Sequence, residues 1–127
     1  MTIRAIDSQA AAGAFAGLAA LDPRGMLTDA DIPAMCDRGQ AFELAGPAGR
    51  AVYLVETRNA CAWVSALAGQ GDGVDLVRLV DGALTHQAAG LQRIALQTAR
   101  PGLVRRLQRL GYRVTGWVMA KELTPCH

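Results

Sequence analysis

The sequence predicts a mixed α/β domain: a central, mainly antiparallel sheet flanked by helices. Three observations carry that reading. Three strand-like stretches follow one another between Ala41 and Gly69 with only short turn-forming spacers, the pattern of an antiparallel meander. After them, helical periodicity alternates with apolar extended runs, so the later strands need helical crossovers. Finally, 127 residues with 51% hydrophobic and 19% charged content are enough to bury a real core as one domain.

In chain order, "TIRAID" alternates Ile3 and Ile6 with polar residues and reads as a short first strand. Ser8 can cap the helix behind it, because a hydroxyl accepts a hydrogen bond from an early helix N–H. That helix spans about Ser8–Leu21, and Gly13 and Gly17, four apart, suit close approach of another backbone. "DPRG" at Asp22–Gly25 breaks the chain. A second helix runs from about Asp31 to Asp37, with Pro33 in the first turn, where its missing N–H costs nothing, and Gly39 at the end. "AFELAG", "AVYLVET" and "ACAWVSALAG" are the three serial strands. The third is apolar on both faces and should be central and covered on both sides.

Beyond the glycines of "AGQGDGVDLVRLV", Val74, Leu76, Val77, Val80, Ala83 and Leu84 recur at helical spacing. A helix is therefore expected over about Val74–Ala89, stopped by Gly90. "LQRIALQTA" makes a strand over Leu91–Ala99. Pro101 then opens a helix lined by Leu103, Val104, Leu107 and Leu110, and Gly111 ends it. "YRVTGWVMAKEL" closes the domain as an extended segment. The order is β-α-α-β-β-β-α-β-α-β.

Composition narrows the function classes. No apolar run is long enough to cross a bilayer. The start, "MTIRAIDSQ", carries mixed charges where a secretory signal would be apolar, so a cytoplasmic protein is expected. Cys36, Cys61 and Cys126 share no metal-ligand or redox spacing, so no metal is expected. The net charge of +2 argues against nucleic acid. Arg100, Arg105, Arg106, Arg109 and Arg113 do cluster within an acid-free stretch, but a solvated helix face gives the same pattern.

The element order, together with "GQGDGVDLVRLV", "LQRIALQTA" and the ending "LQRLGYRV…MAKEL", resembles the GNAT superfamily of acetyl-CoA-dependent N-acetyltransferases. The resemblance implies that two neighbouring strands, here Ala60–Ala68 and Leu91–Ala99, splay apart so that free peptide groups can hold the pantetheine arm. It also implies that the turn before the main helix offers N–H groups to the pyrophosphate. The implied coenzyme-binding residues are Val64, Ser65, Ala66, Leu67, Gln70, Gly71, Asp72, Gly73 and Val74. The implied substrates are acyl-CoA and a small amine or a protein amino group, and a homodimer is a further expectation.

The chain departs from the family pattern at several positions. Ala68 stands where the family has Gln or Arg, and Asp72 and Asp75 would repel a pyrophosphate. Leu107 takes the place of the usual tyrosine acid, and the usual glutamate of the fourth strand is absent. Substitutes are at hand. Glu56 could accept the amine proton through water, Tyr112 could reach the thiol from the last strand, and Ser65 could hydrogen-bond the acyl carbonyl. His86 reads as a surface histidine. Trp63 and Trp117 read as core or pocket walls. The same departures motivate an alternative: a catalytically inactive GNAT-fold module that binds a protein or assembles with itself, an exposed edge pairing two copies.

Overall fold

The computed structural model describes residues 2–18, 27–47, 49–71, 73–98, 100–121 and 123. Its elements are β1 (Thr2–Ile6), α1 (Ser8–Ala14), α2 (Asp31–Arg38), β2 (Gln40–Gly46), β3 (Gly49–Arg58), β4 (Cys61–Gly71), α3 (Gly73–Gln87), β5 (Arg93–Leu96) and α4 (Pro101–Arg109). The strands form a five-stranded sheet in chain order. β1 to β4 are successively antiparallel, and β5 joins β4 in parallel after the α3 crossover. The predicted mixed sheet and its helical flanks are thus present.

Local chemistry explains the boundaries, sometimes differently from the sequence reading. Asp7, not Ser8, caps α1: its extended backbone lets Oδ1 accept the Ala10 N–H at 2.7 Å, and Ser8 is already helical. α1 stops at Ala14, well short of the expected Leu21, whose neighbourhood from 19 onward lies outside the described residues. Among the described residues nothing approaches within 4 Å of a methyl group built on Gly13 or Gly17, so the glycine pair serves no close packing there. α2 begins where the Asp31 carboxylate accepts both the Thr28 N–H at 3.0 Å and the Thr28 hydroxyl at 2.8 Å. The two-residue β3–β4 hairpin is closed by Asn59 at φ 50° and Ala60 at φ 62°, the left-handed pair that a type I′ turn demands.

The sheet separates two cores. On one face, Ala11 and Phe15 of α1 and Ile32, Met35 and Cys36 of α2 pack on Ala41, Val52, Leu54 and Ala66. On the other, Leu76, Val80, Ala83 and Leu84 of α3 pack on Leu44, Ala51, Tyr53 and Val64. Phe15, Leu44, Tyr53 and Leu54 are the largest fully enclosed side chains. Burial of each contributes about 1.5–3 kcal/mol.

β4 changes sides between the two cores. The register runs Leu54 opposite Ala66, then Val55 opposite Val64, so Ser65 is an extra residue, a β-bulge. Because side chains alternate with period two, one inserted residue sends Val64 to the α3 face and Ala66 to the α1–α2 face.

The end of the chain departs from expectation. Residues 112–121 form no strand, and Val114, Trp117, Val118, Met119 and Leu123 are exposed, Trp117 at 90%. The expected closing strand is therefore not formed, and no paired edge arises there. α4 itself buries none of its residues.

Candidate functional site

The site begins where β4 and β5 part. Their ladder has four rungs, from Cys61 opposite Arg93 to Val64 opposite Leu96. A further bond from the Gln92 N–H to the Ala60 carbonyl, 2.8 Å, closes that end. Past Val64, β4 continues for another seven residues, Ser65 to Gly71, hydrogen-bonded to β3 on one edge. Among the described residues no strand is laddered to its other edge. β5 was expected to reach Ala99 and stops at Leu96, five residues before Pro101 starts α4. The bulge at Ser65 falls at the apex of this fork, so the residue that breaks β4's alternation is also the first without a β5 partner.

The bulge aims Ser65 at Glu56. The Ser65 hydroxyl donates to Glu56 Oε2 across the β3–β4 pair. Arg58 Nη2 donates to the same oxygen at 3.0 Å, and Arg38, at the end of α2, faces Oε1 at 3.7 Å. The Arg58 guanidinium lies over Trp63, 5.1 Å from the ring centre. Glu56 is 8% exposed. Burial pushes its carboxyl up, but the bonds from Ser65 and Arg58 and the charges of Arg58 and Arg38 outweigh it, and the net shift is downward. Glu56 is therefore an ionised carboxylate with both oxygens engaged, a poorer proton acceptor than a free one.

Tyr112 lies elsewhere. It sits just past α4, not on a strand, and its hydroxyl donates to Asp81 Oδ1 on α3 at 2.7 Å. Burial, then the bond to Asp81 and that group's charge, raise the phenol well above its usual range. With Val64, Leu67, Leu96 and Leu107 it lines a narrow apolar cleft under the fork. Free volume of about 20 Å³ there holds a single water at most. Tyr112 and Glu56 thus stand on opposite faces of the sheet, while Glu56 and Ser65 are together.

At the open end of the fork, Gly71 has φ 125°, a conformation favouring glycine, and Gly73 begins α3. Gln70 is exposed; Ala66 is buried and Leu67 half-buried. Val74 belongs to the first turn of α3, and Asp72 lies outside the described residues. His86 is exposed on α3. Trp63 is half-buried beside the site, whereas Trp117 walls nothing. A cavity of about 180 Å³ lies off the fork, between the starts of α1 and β2 and the end of α2, lined by Asp7, Asp37 and Gln40 among others. Among the described residues, no group of acidic, histidine and cysteine side chains could hold a metal, and no helix is long and apolar enough to cross a membrane.

What sequence reasoning missed is the partnership of Arg38, Arg58 and Trp63 around Glu56. The alternation of "VETR" put Glu56 and Arg58 on one face, which was legible. The arrival of Arg38 from α2 was not.

No family model and no curated protein matches this sequence. Solved structures do match in shape. A ribosomal-protein-alanine N-acetyltransferase from Brucella melitensis biovar Abortus 2308 superposes with a TM-score of 0.60 at 14% identity, covering 98% of this chain and 100% of that one. AAC(6')-Iy, in complex with the bisubstrate analogue CoA-S-monomethyl-acetylneamine, superposes with a TM-score of 0.56 at 16% identity, covering 98% of each. Identities this low speak to architecture alone, and on that level this chain has the fold of the GNAT N-acetyltransferases.

Proposed function

We propose that the protein is an acyl-CoA-dependent N-acetyltransferase acting on an amine. The single observation that carries this reading is the fork: among the described residues no strand pairs with one edge of β4 from Ser65 to Gly71, where β5 leaves it. An extended pantetheine arm can hydrogen-bond such an edge as an added strand would. Its pyrophosphate would reach the Gly71–Gly73 turn, where the start of α3 offers backbone N–H groups and the positive end of the helix dipole. The backbone of Val64 to Leu67, with Gln70, Gly71, Asp72, Gly73 and Val74 at the mouth, forms the proposed coenzyme contact.

The thioester then lies at the apex, beside Ser65. The nitrogen lone pair of a neutral amine forms the new C–N bond, the C–S bond breaks, and the proton lost by nitrogen ends on the departing thiolate. The Ser65 hydroxyl would have to leave Glu56 to bond the acyl carbonyl, so its place in this arrangement is to hold that carboxylate at the apex. Glu56 would act mainly as a fixed negative charge facing the positive charge that grows on nitrogen, its lowered basicity fitting it less well for taking the proton itself. Tyr112 would give the thiolate its proton and be reprotonated through solvent by the one the nitrogen loses, so that the net transfer is a single proton from nitrogen to sulfur. Positioning alone can contribute roughly 7–11 kcal/mol, so the absence of a tyrosine at Leu107 does not forbid turnover.

Isothermal titration with acetyl-CoA and a thiol-release assay over a panel of amines test this. Saturable heat plus coenzyme-dependent acetylation is expected, with Tyr112→Phe lowering kcat and leaving the acetyl-CoA affinity unchanged. No heat at millimolar coenzyme would remove the reading and leave the non-catalytic module in its place.

A further inference from the structure

We propose that the acceptor is an amine carrying a carboxylate a few atoms from its nitrogen: an amino acid, or a peptide whose first residues are acidic. This rests on the acetyltransferase reading above, since it names the substrate class of that same site. The fork has direction. Its glycine mouth is at Gly71 and its apex at Ser65, so a coenzyme entering from the mouth leaves the acceptor the region beyond the apex. On the α3 face that region is packed with Val64, Ile94 and Leu84. On the other face it holds Glu56, Trp63, Arg58 and Arg38.

The charges there do not balance. Two guanidinium groups meet one carboxylate, leaving an excess positive charge beside the apex. The donors are also under-used. Arg58 donates to Glu56 from Nη2, and its guanidinium, which carries five N–H donors, lies over Trp63. Arg38 touches Glu56 through Nε alone, at 3.7 Å. Both arginine side chains are about half exposed, 58% for Arg38 and 49% for Arg58, so a ligand can reach them. A second carboxylate is what planar forks of this kind bind best. Glu56 supplies a negative group for the ammonium end of an acceptor and the half-exposed guanidinium groups around it the positive ones, matching a zwitterion.

Matched acceptors decide it: β-alanine against its amide, and a peptide beginning Asp-Glu against one beginning Asn-Gln. The carboxylate member of a pair should be used with kcat/KM higher by about 10- to 100-fold. Arg58→Gln and Arg38→Gln should erase that ratio by raising KM for the acid only, with acetyl-CoA affinity intact. Arg4→Gln, which breaks an ion pair at the far edge of the sheet, should leave it alone. Preference for the free amino acid or for the peptide tells which source of the carboxylate is taken. Equal use of acid and amide, an equal loss for both in Arg58→Gln, or preference for a polyamine would overturn the proposal. A binding readout separates it from the reading beneath it. In Trp117→Phe, Trp63 is the sole tryptophan, and N-acetyl-β-alanine should change its fluorescence unless Arg58 is replaced. Coenzyme binding without that response sinks the acceptor class alone. The response without coenzyme binding sinks the transferase reading and keeps the carboxylate site.

Discussion

Glu56 shows how one carboxylate can be both structural and chemical. It is among the few buried charged side chains, and it survives burial because a hydroxyl and two guanidinium groups replace the water it lost. Its folded value is depressed. The stability it contributes is therefore complete above the ordinary value of 4.5 and is lost as pH falls through the lower folded value. Ser65→Ala should cost about 1–2 kcal/mol at neutral pH, and the acid-induced loss due to Glu56 should be smaller and complete at a higher pH than in the parent, because the folded value is less depressed. Urea unfolding at neutral and mildly acid pH measures both. A serine in an apolar strand and a glutamate at the end of its neighbour are visible in the sequence. The extra residue that turns one toward the other is not, because a bulge leaves no mark in hydrophobic periodicity when both faces of the strand are apolar.

At the scale of elements, the β3–β4 hairpin carries a cost that the neighbouring contacts offset. Ala60 holds a positive φ, which disfavours any residue with a Cβ, where glycine would be at ease. Ala60→Gly should stabilise the protein by a few tenths to about 1 kcal/mol. Gly39→Ala should do the opposite, since its new methyl would stand 2.8 Å from the Val55 carbonyl oxygen, a backbone atom unable to yield. Thermal unfolding of the two variants gives shifts of opposite sign. Strands β2 to β4 and helix α3 were legible within one to three residues, as "AFELAG", "AVYLVET" and the heptad-like run after Gly73 carry strong periodic signals. β5 was overextended, because "LQRIALQTA" reads as a strand throughout while its partner is available only as far as Val64. Pairing, not propensity, set that boundary.

Across the whole molecule, the two cores are complete without the last residues. Neither cluster draws on any residue beyond Leu96. A chain stopped after Arg113 should therefore unfold within about 1 kcal/mol of the full one, as surface changes usually do. Trp117 fluorescence in the full chain should be readily quenched by iodide. "YRVTGWVMAKEL" has the composition of a strand, and composition alone could not reveal that residues 112–121 pair with no strand among the described residues. An exposed apolar run of this kind is also a natural contact for another macromolecule.

The four-rung attachment of β5 has a kinetic meaning. β2, β3 and β4 are joined by tight hairpins and can zip locally, whereas β5 must wait for α3 to cross the sheet, and a parallel partner closes a longer loop. Amide protons of Arg93 to Leu96 should exchange earliest among the strands, through openings that leave the meander intact. Whatever lodges between the two arms would bridge the latest arrival to the earliest nucleus, so occupancy should be read first as slowed deuterium uptake in that short strand, ahead of any change in the melting of the rest.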